Sequence, residues 1–139
     1  MLVAFMDGAD NDYDPQLDAK RLATPVSLFS TVSTGEQLTI QSRAAFDIED
    51  EIIVGFRSQV DENQFYTISL NDIELGTLTT DVQVYLEDTV TGAITNLSER
   101  SYSFASDAGM DEDRFIMFFQ EKVLGADDNE LNTLSVVPN

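Results

Sequence analysis

Apolar residues recur at every second position along most of this chain, and that period limits what it can fold into. Leu38 and Ile40 alternate with Gln37, Thr39 and Gln41, while Ile52, Val54 and Phe56 share one face of 51–57. Tyr66, Ile68 and Leu70 oppose Thr67 and Ser69, and Val82, Val84 and Leu86 oppose Gln83, Tyr85 and Glu87. Successive side chains of a strand point to opposite faces, so each run describes a strand with one face on a core and the other in water. Residues 114–119 differ, because Phe115, Met117 and Phe119 point one way while Ile116 and Phe118 point the other. Such a segment reads as a central strand covered on both faces. No long helical pattern interrupts the series.

Turn signals separate these runs: Ser33-Thr34-Gly35, Asp61-Glu62-Asn63, Glu74-Leu75-Gly76, Thr91-Gly92 and an acidic loop from Asp107 to Asp113. The pattern predicts strands near 2–5, 26–31, 36–42, 51–57, 65–71, 81–88, 93–97, 102–105, 114–119 and 132–137. Many short strands with short links describe an all-β fold, an antiparallel β-sandwich of immunoglobulin-like or jelly-roll type. One short helical turn is expected near 14–22. The length of 139 residues suits one domain. Its expected extent is 1–124, followed over 125–139 by an acidic linker, Gly125 to Glu130, and the start of a further strand.

Composition narrows function by exclusion. The chain has no histidine and no cysteine. It therefore lacks an imidazole base, a thiol nucleophile, a disulfide and a thiolate metal site, and any metal would be held by oxygen. A net charge of −19 opposes contact with nucleic acid or an anionic membrane surface. No stretch approaches the roughly 18–20 apolar residues that cross a bilayer as a helix, so membrane insertion is not expected.

The segment from Asp7 to Asp18 holds five carboxylates in twelve residues. Asp10, Asp12 and Asp14 have the alternate spacing that lets successive oxygens of a curling loop converge on one calcium ion, with Asp18 close by. Pro15 stands where an EF-hand needs glycine and Arg21 where it needs a bidentate glutamate, so a calcium site here would be of another kind, completed by backbone carbonyls. The structural alternative is that Asp14 caps a turn opened by Pro15, with Asp18 and Arg21 paired on its surface. Asp107, Asp111, Glu112 and Asp113 could in principle supply an acid and a base to a glycosidase. Short links offer no deep cleft around them, and the expected reading is a solvated loop partly neutralised by Arg114, without catalysis. For sugar binding, Tyr85 is the best-placed aromatic, projecting from a polar face between Gln83 and Glu87. Tyr66 and Tyr102 fall on core registers.

Several stretches resemble a β-rich region found in exported proteins of Bacteroidetes directly before a type IX secretion sorting domain. Ala9 to Ala19 is similar to that region's Thr-Asp-Gly-Phe-Asp…Tyr-Asp-Ala run, matching its recurring signature at Tyr13, Asp14, Asp18 and Ala19. Gly35-Glu36-Gln37-Leu38-Thr39-Ile40 resembles its G-x-x-L-S-I strand, and Ile53-Val54-Gly55-Phe56 its I-x-L-G-I/F. The most specific block runs from Val84-Tyr85-Leu86-Glu87-Asp88 through Thr91-Gly92, Asn96-Leu97, Tyr102-Ser103-Phe104 and Asp113-Arg114-Phe115. Leu134 to Asn139 is similar to the opening strand of the sorting domain, with Val137 in place of its tyrosine. The resemblance implies a piece of a longer extracellular or cell-surface protein, and the reading that follows is a non-catalytic accessory module whose partners are neighbouring domains; the alternative, resting on the sandwich and Tyr85, is a carbohydrate-binding or adhesion module that takes a polysaccharide with the help of calcium.

Overall fold

The computed structural model describes residues 1–73 and 81–123. Ten strands lie within them: β1 Leu2–Phe5, β2 Ala19–Lys20, β3 Val26–Thr31, β4 Gln37–Arg43, β5 Glu51–Ser58, β6 Gln64–Ile68, β7 Val82–Asp88, β8 Ala93–Asn96, β9 Tyr102–Ser106 and β10 Gly109–Glu121. Eight of them form a sheet in the order β1-β4-β3-β5-β10-β7-β8, with β2 also on β4, and β6 and β9 form a second sheet. The all-β, sandwich-like architecture matches the period-2 reading. The turn at Glu74 to Gly76, the linker at Gly125 to Glu130 and the strand expected at 132–137 lie outside the described residues.

On β5, β7 and β10 the core is built from the faces that alternation assigns to it, whereas on β4 Leu38 is buried but Ile40 is 36% exposed and Gln41 is buried in its stead. Ile52, Val54 and Phe56 of β5, Val82, Val84 and Leu86 of β7, and Phe115 and Phe119 of β10 form one buried cluster with Leu97 and Phe104. At one end the β6–β9 pair covers this face, with Phe104 set edge-on 5.0 Å from both Phe56 and Phe115. At the other end Phe5 and Phe46 reach Phe119, at 5.8 and 5.1 Å. Edge-to-face rings at these separations add a fraction of a kcal/mol to about 1.5 kcal/mol beyond the apolar area that they bury.

Three expectations are corrected. The sheet is mixed rather than antiparallel throughout, because β1 runs parallel to β4, Leu2 facing Ile40 and Phe5 facing Arg43. The helical turn near 14–22 is a single hydrogen-bonded turn over 15–17, with no helix. Asp14 does cap it: its C=O accepts from the Leu17 and Asp18 N–H groups, and its Oδ1 from the Gln16 N–H. The chain then turns extended, because Ala19 and Lys20 find backbone partners on β4. The acidic stretch before 114 is largely strand, since β10 begins at Gly109 and pairs with β5 as far as Ser58.

That extension carries a bulge. Asp111 faces Phe56 and Phe115 faces Val54, which leaves Glu112, Asp113 and Arg114 opposite Gly55 alone. The bulge lies over the outer side of the sheet, where the Thr31 hydroxyl donates to the Glu112 C=O. Gly55 is required beneath it, since a Cβ there would run into the Phe29 ring and stand 2.8 Å from the Glu112 oxygen. Phe29, fully buried, therefore sits on the outer face rather than in the main core, with the Arg21 guanidinium 5.4 Å above its ring.

Candidate binding face

The four aspartates proposed as cation ligands do not converge. Among the described residues no three carboxylates are grouped as a metal centre. Each aspartate instead accepts hydrogen bonds from the chain itself, within the loop or from the sheet beside it. Asp10 Oδ1 accepts from the Asp12 N–H, and Asp12 Oδ1 accepts from the Ser33 hydroxyl. Asp18 is the structural one of the set. Its Oδ2 accepts from the Asp14 N–H at 2.8 Å, and its Oδ1 from the Ser42 N–H on β4 at 2.6 Å, tying the acidic loop to the sheet. The expected pair of Asp18 with Arg21 is absent, because Arg21 Nε donates to Gln37 Oε1 instead.

Arg114 also departs from expectation. It is buried and does not neutralise the acidic stretch before it. Its Nε and Nη2 donate to the two oxygens of Asp88, at 3.2 and 2.9 Å, and its guanidinium lies 4.5 Å over the Phe104 ring. The Tyr102 hydroxyl donates to Asp88 Oδ2 at 2.8 Å, and the Val90 N–H donates to Oδ1. Burial opposes the charge on Asp88, but these donors and the Arg114 charge outweigh it and hold the carboxyl below its ordinary range. Burial also raises the Tyr102 phenol, helped by the adjacent carboxylate. This constellation joins β7, β9 and β10 and offers no open position to a substrate.

The outer face of the large sheet is the other place where chemistry gathers. Register sets Glu51, Phe118, Tyr85 and Asn96 in one row across β5, β10, β7 and β8, and Ile53, Ile116, Glu87 and Ile94 in the next. Tyr85 lies on this face as expected, but half-buried, stacked on Phe118 with centroids 5.4 Å apart. Asn96 Nδ2 donates to Gln83 Oε1 beside them, and Gln120 faces Gln83. The pair is thus flanked by amides on one side and by the row containing Ile53, Ile116 and Ile94 on the other. Phe118 was legible only as half of a two-faced strand; its partnership with Tyr85 depends on register.

The chain matches a domain family along residues 1–119. It belongs to DUF8693, a domain family of unknown function. No curated protein and no solved structure matches it. In this DUF8693 domain, the residues that carried the most specific sequence block meet in space. Asp88, Tyr102, Phe104, Arg114 and Phe115 form the buried cluster just described, with the Thr91 hydroxyl against the Tyr102 hydroxyl. Asp14 and Asp18 of the first block hold one another, and Gly55 of the second lies under the bulge. One exposed residue of the domain went unremarked by pattern. Phe65 is 82% exposed on β6, on the outward register of the same alternation that points Tyr66 and Ile68 inward.

Proposed function

We propose that this chain is a non-catalytic accessory module of a secreted or cell-surface protein, a spacer or docking domain carried beside the parent's working domain and exported by type IX secretion. One observation supports the reading most: the polar groups with the most distinctive surroundings are engaged within the fold, Asp88, Arg114 and Tyr102 joining β7, β9 and β10, and Asp18 tying the first loop to β4. The test is to delete residues 1–139 from the parent protein and compare surface display with activity per displayed molecule. Display should fall while specific activity is unchanged. A fall in specific activity at equal display would overturn the reading.

The Tyr85–Phe118 stack, flanked by Gln83, Asn96 and Gln120, favours a second reading in which this face holds a neutral polysaccharide. Affinity electrophoresis through gels loaded with neutral plant and marine polysaccharides should show retardation that Tyr85→Ala and Phe118→Ala each weaken. Unretarded migration in every gel would remove this reading and leave the first standing.

A further inference from the structure

The inner face of the large sheet is wider than the layer above it. Tyr66 of β6 covers Phe56 of β5 at a centroid distance of 4.8 Å, and Phe104 of β9 covers Phe115 of β10. Beyond β5 lies β3, with Val26 facing Ser58 and Leu28 facing Phe56 on the same inner side. Between β3 and β6 a cleft of 280 Å³ opens, its apolar lining including Val26, Leu28, Phe56, Tyr66 and Ile68. Val26 is 39% exposed at its floor. Among the described residues β6 pairs with β9 alone, and it is β6 that borders the cleft. Its second backbone edge therefore overhangs an apolar floor.

We propose that this edge of β6 docks an extended strand from a partner polypeptide, carrying apolar side chains at alternate positions and lysine or arginine at its ends. The proposal deepens the docking reading and rests on it. An unpaired strand edge presents N–H and C=O groups at the spacing that another backbone strand satisfies. Alternate side chains of that strand point the same way, down onto Val26 and Leu28, and fill the cleft. Charge selects the ends. Residues 59–73, which contain β6 and both its flanks, carry Asp61, Glu62 and Asp72 and no lysine or arginine. A second copy of this chain, itself at −19, is repelled where a basic strand is attracted.

The probe is a synthetic Lys-Val-Thr-Val-Thr-Val-Lys peptide, compared with an isomer whose valines are contiguous and with a glutamate-ended version. Titration into the isotope-labelled full chain, followed by NMR, should shift Gln64–Ile68 and slow exchange of their outward amides only with the alternating, lysine-ended peptide. Val26→Lys, at a half-exposed position, should weaken that binding at least tenfold while leaving the spectrum of the free protein otherwise unchanged. The proposal is overturned if those outward amides already exchange slowly in the free chain, which would mean that its own remaining residues cover the edge, or if the chain dimerises through β6. Absence of peptide binding with freely exchanging edge amides also overturns it. Shifts that map to Tyr85 and Phe118 instead would overturn the edge assignment while leaving the docking reading intact.

Discussion

Arg114 and Phe115 are consecutive, yet both side chains point into the sandwich, the guanidinium 5.2 Å from the Phe115 ring. In a regular strand neighbours face opposite ways. The bulge opposite Gly55 adds residues to β10 and turns Arg114 inward to Asp88. A bulge that re-aims one side chain thus allows a charge pair to form beneath an aromatic layer.

Removing one member of that pair should be severe, because it leaves the other charge buried alone. Arg114→Leu is expected to lose about 3–5 kcal/mol of unfolding free energy, read from urea midpoints. The double variant Arg114→Leu with Asp88→Leu should recover a good part of it. A loss below 1 kcal/mol in the single variant would show that the pair is solvated in solution.

The pair also sets a pH dependence. Asp88 has a folded pKa below its unfolded value, so its contribution is complete above the unfolded value and disappears as pH falls through the lowered one. Stability measured from pH 6 down to pH 2 should therefore fall. In Asp88→Asn the fall should be shallower, from a lower starting stability at neutral pH. Parallel curves for the two proteins would remove Asp88 from the account.

Gly55→Ala should destabilise by about 1–3 kcal/mol, since both Phe29 and the Glu112 carbonyl must move to admit a methyl group. Phe29→Leu in the same chain should make the alanine less harmful by removing one of the two clashes. Chemical denaturation of the four proteins of this cycle gives the coupling directly.

The aspartates of the first loop should separate in mutagenesis. Asp18→Ala loses two amide partners on a carboxylate and is expected to cost about 2–4 kcal/mol, whereas Asp10→Ala and Asp12→Ala, with one surface hydrogen bond each, should cost under about 1 kcal/mol. Because the four carboxylates do not gather, millimolar calcium or EDTA should leave the thermal midpoint unchanged. A rise with calcium would show that the loop closes around the ion.

Phe65→Ser should leave stability within about 0.5 kcal/mol, because the ring is 82% exposed and buries little apolar area. A larger loss, measured by thermal unfolding, would place a neighbour over β6 that the exposed ring does not suggest.

Local period carried most of the fold into the sequence. The strands near 51–57 and 81–88 and their buried faces followed from alternation, because a strand's two faces are fixed by residue parity alone. β2 was not legible, since two residues, Ala19 and Lys20, carry no period. The parallel pairing of β1 with β4 was not legible either, as Leu2–Phe5 would look the same against any neighbour.

The candidate sites divide along the same line. Parity placed Tyr85 on an outer face, and residue chemistry marked Asp14 as a turn cap. Tertiary structure decided that Tyr85 is held by Phe118, that Asp18 reaches across to Ser42, and that Gly55 lies under Phe29 and a bulge. It also decided that Arg114 faces inward, against its parity with Phe115. Each of these depends on which strand lies alongside and in what register, a choice set by the whole core, whereas alternation is set by the geometry of one strand.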